Sequence, residues 1–284
     1  MKSCAQSPIF LTAGCISLSL VVFAADIVIH PGDGVETNVA PIVSASAVRV
    51  NPGSSGGGIV RLNAQNAYAA TTTLGCGTLV ADRVAATRTA SSLGKSGLVS
   101  IGAGTFRYDG PDGGWTDRPF TNDTPVNTQA AIYDIRHDLT IASDLVQARG
   151  SFVKTGPGTL HLAGTGTTRL NQATALPDST SGLQSQFIPL ANGDSPTNGY
   201  RGFHVLEGKL VLGENGGTYR IGNANNAGVG GWTTERTQEV DATLEIAGGN
   251  VLFSNWFMHG SYNGHISLPP GARRDRRGRR RSDA

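Results

Sequence analysis

Short runs in which apolar and polar residues alternate recur along the chain. Val60 and Leu62 alternate with Arg61 and Asn63, and Leu160 and Leu162 alternate with Thr159, His161 and Ala163. A period of two is the pattern of a strand with one face turned inward. Gly58 and Gly158 stand just before these runs, where a tight corner needs a residue free to take positive φ. Each run is only four or five residues long, and a hairpin of such strands would be marginal by itself. Stacked coil on coil, every strand pairs in parallel with the one before and the one after, and the inward residues form continuous ladders. The expected fold is therefore all-β: a right-handed parallel β-helix (β-solenoid) with long loop excursions. The hand follows the general rule for parallel crossovers.

The runs belong to loose internal copies. One copy covers residues 58–68, 71–73 and 77–80, a second opens over 152–164 and closes over 203–212, and fainter echoes lie at 98–108 and 242–253. Residues 26–49 read as a first capping coil, with Ile27-Val28-Ile29 and Val48-Arg49-Val50 as strands. Leu139-Thr140-Ile141 marks another alternating segment within 130–152, and 218–257 adds further coils. Two stretches interrupt the beat: a Gly/Pro/Asp-rich excursion over 109–129, and an insertion over Thr165 to Arg201, rich in Ser, Gly, Asn and Pro, that reads as a long surface loop. The best helix candidate is 83–93, and its Thr and Ser content weakens it.

The ordered string Lys154-Thr155-Gly156-Pro157-Gly158-Thr159-Leu160-His161-Leu162-Ala163-Gly164 closely resembles the autotransporter-associated β-strand repeat, also called the passenger-associated transport repeat. The run Asn66, Tyr68, Thr71-Thr72 and Gly77-Thr78-Leu79 resembles the second half of the same unit. The resemblance covers about a third of the chain, and the echoes extend it loosely over the rest. It implies a β-helical passenger or surface protein of a Gram-negative bacterium. The run of ten-residue alternating strands that builds a membrane barrel does not follow these repeats, so the resemblance bears on architecture more than on export route.

Met1–Ala24 reads as a signal peptide: Lys2 is the charged end, residues 9–22 are mostly apolar, and Val22-Phe23-Ala24 occupies the cleavage positions. Thr12-Ala13-Gly14-Cys15 resembles a lipoprotein cleavage box, but apolar sequence continues past Cys15 to Ala25. The expected organisation is a signal peptide at 1–24, the β-solenoid at 25–270 and a basic, disordered tail at 271–284. The mature chain carries no transmembrane segment on this reading, and it is exported to the extracellular space or outer cell surface. Cleavage leaves Cys76 as the one remaining cysteine, so internal disulfides drop out.

Composition sharpens this picture. There are 39 Gly, only 15% of residues are charged and 6% are aromatic, poorer in charge than a typical globular enzyme. With 38% hydrophobic residues and a net charge of +2, the chain also lacks the signature of disorder. Residues 271–284 hold seven Arg against two Asp, whereas 25–270 hold fifteen Lys and Arg against nineteen Asp and Glu. The basic balance belongs to the tail, and nucleic acid is not an expected partner of the body.

Candidate chemistry is sparse. Asp109, Asp112 and Asp117 fall in one loop-like stretch and could gather around calcium, but Asp, Gly and Pro are also ordinary turn residues. Trp115, Trp232 and Trp256, with Tyr200 and Tyr262, could line a glycan-binding face or pack within the fold. Asn66 could bond the backbone of neighbouring coils or serve as a simple turn residue. Cys76 reads as a buried small residue, since no base or electropositive setting lies nearby in sequence. The six His are scattered, without metal-ligand spacing. Gly53-Ser54-Ser55-Gly56-Gly57-Gly58 leads into a strand and is no phosphate loop. No catalytic, cofactor-binding or metal-binding residues are expected. The leading expectation is a monomeric structural or adhesive surface protein, not an enzyme, with surface glycans or other envelope components as partners. The alternatives are a carbohydrate-active β-helix, such as a polysaccharide lyase, and a fragment of a larger surface protein.

Overall fold

The computed structural model describes residues 9–11, 25–53, 56–95, 97–123, 130–149, 151–170, 203–221, 227–229, 231–232, 239–240, 242–253, 258–260 and 264–267. All regular structure among them is β, with no helix. After β1 (Ile9–Leu11), the early coils have two strands each: β2 (Asp26–Ile29) and β3 (Glu36–Val39), β4 (Ala47–Val50) and β5 (Ile59–Leu62), β6 (Thr71–Leu74) and β7 (Thr78–Ala81). The next coils have three. These are β8 (Val99–Ile101), β9 (Thr105–Tyr108) and β10 (Gly114–Thr116), then β11 (Phe120–Asp123), β12 (Ala130–Ile135) and β13 (Leu139–Ile141). β14 (Leu145–Arg149), β15 (Ser151–Thr155) and β16 (Thr159–Leu162) follow, then β17 (Thr167–Leu170), β18 (Phe203–Val205) and β19 (Gly208–Leu212). The last coils comprise β20 (Thr218–Ile221), β21 (Ala227–Val229), β22 (Gly231–Trp232), β23 (Glu239–Val240), β24 (Ala242–Ile246), β25 (Asn250–Phe253), β26 (Met258–Gly260) and β27 (Gly264–Ser267).

These strands build three parallel sheets. The first has ten strands in the order β1-β2-β4-β6-β8-β11-β14-β17-β20-β25. The second runs β3-β5-β7-β9-β12-β15-β18-β21-β26, and the third runs β10-β13-β16-β19-β24-β27. β22 and β23 form a separate antiparallel pair. The architecture is a parallel β-helix, as the alternation predicts. Within the expected leader, β1 pairs in parallel with β2, Ile9 beside Ile27 and Leu11 beside Ile29; residues 1–8 and 12–24 and the tail 271–284 lie outside the described residues.

The period of two sets what faces the interior. In the first sheet Val48, Thr72, Val99, Phe120 and Leu145 follow one another rung by rung, all buried. Leu139, Leu160, Leu210 and Leu244 make a leucine column in the third. Each fully buried leucine contributes roughly 1.5–3 kcal/mol of transfer free energy. Aromatics are few, yet four of them line one column across successive coils of the second sheet. Phe106 packs on Tyr133 at 6.1 Å, Tyr133 on Phe152 at 5.2 Å and Phe152 on Phe203 at 5.5 Å.

Val60–Leu62 and Leu160–Leu162 do share this one interior, but on different faces: β5 belongs to the second sheet and β16 to the third. The sequence copies are therefore alike as strands without being equivalent in position. Gly208 shows why a corner can require glycine. Its φ is +65°, and a Cβ there would lie 2.5 Å from the Gly156 carbonyl oxygen of the coil before.

Two expectations need correction. The excursion at 109–129 contains β10 and β11, with Thr116 and Phe120 fully buried; its turn-rich composition marks corners between very short strands, not a loop. The insertion begins with a strand too, since Thr167–Leu170 is β17 and continues the first sheet; residues 171–202 lie outside the described ones. Residues 83–93, the weak helix candidate, hold no helix: Thr89 N–H closes a turn onto the Ala86 carbonyl at 3.0 Å, and Ser91 N–H reaches the Asn66 carbonyl of the coil before at 3.2 Å.

Candidate functional site

Polar side chains inside the β-helix bond one coil to the next. Asn66 is buried; its Oδ1 accepts the Ile42 N–H at 2.7 Å, and its Nδ2 donates to the Ser92 carbonyl at 2.9 Å. It thus bridges the coils on either side, the first of its two expected roles. The Cys76 thiol is buried and donates to the Asn51 carbonyl at 3.3 Å, which fits a packing role. Tyr68 is held inside by Thr72 at 2.7 Å, and burial pushes its phenol up to about 12.

The corners carry a second set of links. Asp138 accepts the Thr159 N–H at 2.8 Å, and Asp144 accepts those of Gly166 and Thr167 at 3.0 Å each. Each link spans 21 to 23 residues, one coil. The three loop aspartates also reach across coils, over 26 to 48 residues. Asp109 pairs with Arg61 at 3.0 Å, Asp112 accepts the Asp138 N–H at 3.1 Å, and Asp117 accepts the Thr87 N–H at 2.6 Å and its hydroxyl at 2.8 Å. The bonds from Thr87, the backbone one foremost, hold the Asp117 carboxyl below the usual range. The three carboxylates therefore serve three different neighbours. Among the described residues no group of three or more His, Cys, Asp or Glu could hold a metal.

The densest chemistry lies where sequence reasoning placed none, at Lys154. Two residues after inward Phe152, it points into the interior and is 0% exposed. Its Nζ donates to the carbonyls of Thr155 at 3.0 Å, Gly156 at 2.6 Å and Glu207 at 2.9 Å. Glu207 returns the link by accepting the Gly156 N–H at 2.9 Å through Oε2. Burial pushes the Lys154 amine down to about 7, opposed by Glu207, Asp134 and Asp138. With all three donor directions taken by carbonyls, this amine ties a corner together and does not face a substrate. Arg118, also fully buried, clamps another corner by donating to Leu93 O at 2.9 Å and Thr89 O at 3.2 Å. The period of two was the available signal for Lys154, Asn122 and Gln147. Each stands two residues after a buried apolar side chain, and all three are buried.

The outer faces hold what remains. Trp115 is 45% exposed on the third sheet, in register with Thr140, and His161 follows on the next strand. Trp232 lies on β22, in the separate antiparallel pair, and Trp256, Tyr200 and Tyr262 lie outside the described residues, so the structure does not bring these aromatics together with Trp115 among the described residues. On the second sheet, Arg107 meets Asp134 at 2.7 Å; on the third, Lys209 meets Glu245 at 2.7 Å. On the first sheet, Arg49 meets Asp26 at 3.2 Å.

Fold and polar chemistry together define the class: a parallel β-helix whose interior and corner charges link coil to coil. No family model matches the chain, and no curated protein or solved structure matches it either. No helix among the described residues is long and apolar enough to cross a membrane.

Proposed function

We propose that the chain is an exported bacterial surface or extracellular β-helix with a structural and adhesive role, akin to autotransporter passenger repeats, and not an enzyme. One observation carries this reading: buried and corner side chains with catalytic potential, above all Lys154, are bonded to the backbone of adjacent coils. Such bonding suits a stiff scaffold whose outer faces do the binding. The leader read at residues 1–24 and the Lys154–Gly164 string support export and the passenger-like role.

Expression of the full chain in a Gram-negative host tests it. The expected product begins at Ala25 by mass spectrometry and is labelled by antibody on intact cells. Unprocessed chain confined to the cytoplasm would rule the reading out. Release of unsaturated product from a uronic polymer would favour the lyase alternative instead.

A further inference from the structure

Trp115 stands on β10 beside Thr116, which is buried, so side-chain parity turns the indole outward, where it is 45% exposed. No aromatic ring among the described residues stacks on it. The other large apolar side chains exposed among the described residues are Val35 and Val43 in the first coil and Val146 on the first sheet, so the indole is an isolated apolar surface in a polar setting.

That setting is built rung by rung. Thr140 follows Trp115 and His161 follows Thr140 in register. Each of the two lies between buried neighbours of its own strand, and so faces outward as well. Rungs are about 4.8 Å apart, which places His161 about 10 Å from Trp115 along the axis, the reach of two linked pyranose rings. The His161 Nδ1 is paired with Glu214 Oε2 at 2.9 Å. At the corner leading into β10 and β13, the His137 Nδ1 lies 3.3 Å from Asp112 Oδ1. The side chains of Glu214 and Asp112 are 39% and 77% exposed. An outward indole thus has a hydroxyl on the next rung and two solvent-facing histidine–carboxylate pairs nearby.

We propose that this row binds a neutral polysaccharide chain lying along the β-helix axis, with one sugar ring stacked on Trp115. A pyranose ring has an apolar C–H face and a rim of hydroxyls, which matches an apolar indole face with polar groups around it. The Thr140 hydroxyl and the carboxylates of Glu214 and Asp112 accept hydrogen bonds from those hydroxyls. An acidic polysaccharide or a nucleic acid fits less well, because the same carboxylates repel a polyanion. A protein partner fits less well too: interface cores are depleted of charged residues, and the apolar contact here is a single side chain. The inference names a partner for the adhesive role proposed above and rests on that role. The binding test needs no export, so the two can fail separately.

Affinity electrophoresis of the purified full chain in native gels provides the test. The gels contain soluble β-glucan, galactomannan or dextran as neutral polymers, sodium alginate as the acidic one, or no polymer. At least one neutral polymer is expected to retard the protein. Trp115→Ala is expected to weaken that binding by about tenfold or more, and Trp115→Phe, which keeps a smaller aromatic face, by less. Glu214→Gln is expected to weaken it while leaving the stacking surface in place. Val146→Ala, which trims an exposed apolar side chain on another sheet, leaves binding unchanged. Circular dichroism and melting of each variant check the fold, and all four are expected to melt close to the parent. No retardation by any neutral polymer, equal retardation of the folded Trp115→Ala and Trp115→Phe proteins and the parent, or tighter Trp115-dependent binding to alginate would overturn the proposal.

Discussion

The Nζ of Lys154 donates at 2.9 Å to the carbonyl oxygen of Glu207, 53 residues further along the chain and one coil away in space. Through this bond the corner after β15 and the corner before β19 hold each other. Lys154→Ala would leave three corner carbonyls without their donor and open a void beside Tyr133. A loss of about 2–4 kcal/mol is expected, read as a lower thermal midpoint. Lys154→Met, which keeps most of the volume, is expected to lose less.

The same amine makes stability depend on pH. Its pKa falls from 10.5 to about 7 on folding, so between these values the unfolded chain binds the proton and the folded chain does not. Stability should therefore rise with pH from about 7 towards 10, by on the order of 1 kcal/mol per unit at most. Above pH 10 the trend should reverse. Burial raises the Tyr68 and Tyr133 phenols, so the folded chain then keeps protons that the unfolded chain releases. Denaturant melts at pH 7, 9 and 11 check both limbs, and Lys154→Met should flatten the first.

Asn66 supplies a bond to the coil on each side, and its two substitutions separate the roles. Asn66→Ala is expected to lose about 1–3 kcal/mol. Asn66→Asp still accepts from Ile42 but presents an oxygen to the Ser92 carbonyl and buries a charge, so it should be the worse of the two. Equal melting midpoints for Asn66→Asp and the parent would contradict the bonding described here.

Phe152 lies between Tyr133 and Phe203 in the aromatic column. Phe152→Ala should destabilise by about 3–5 kcal/mol, and Phe152→Leu by less. The circular dichroism midpoint in urea reports both.

Asp109, Asp112 and Asp117 bond to separate neighbours, so EDTA should leave the melting midpoint unchanged and added calcium should not raise it. Asp117→Ala should lower the midpoint slightly, through the lost bonds to Thr87.

Much of the architecture was legible in the alternation. Val60–Leu62, Leu139–Ile141 and Leu160–Leu162 are strands with their apolar sides inward, as a local period of two requires. The same parity, taken past its apolar members, would have placed Lys154 inside after Phe152. Turn composition was misleading at 109–129, where strands three or four residues long leave corner residues in the majority.

By itself, the sequence determined that the chain forms short parallel strands around one interior, because side-chain parity and corner glycines act within a few residues of one another. Only the tertiary structure decided which rung meets which: that β5 and β16 lie on different sheets, that coils change from two strands to three, and that Lys154 meets Glu207 across 53 residues. Those meetings depend on the length of chain between strands, which alternation does not encode.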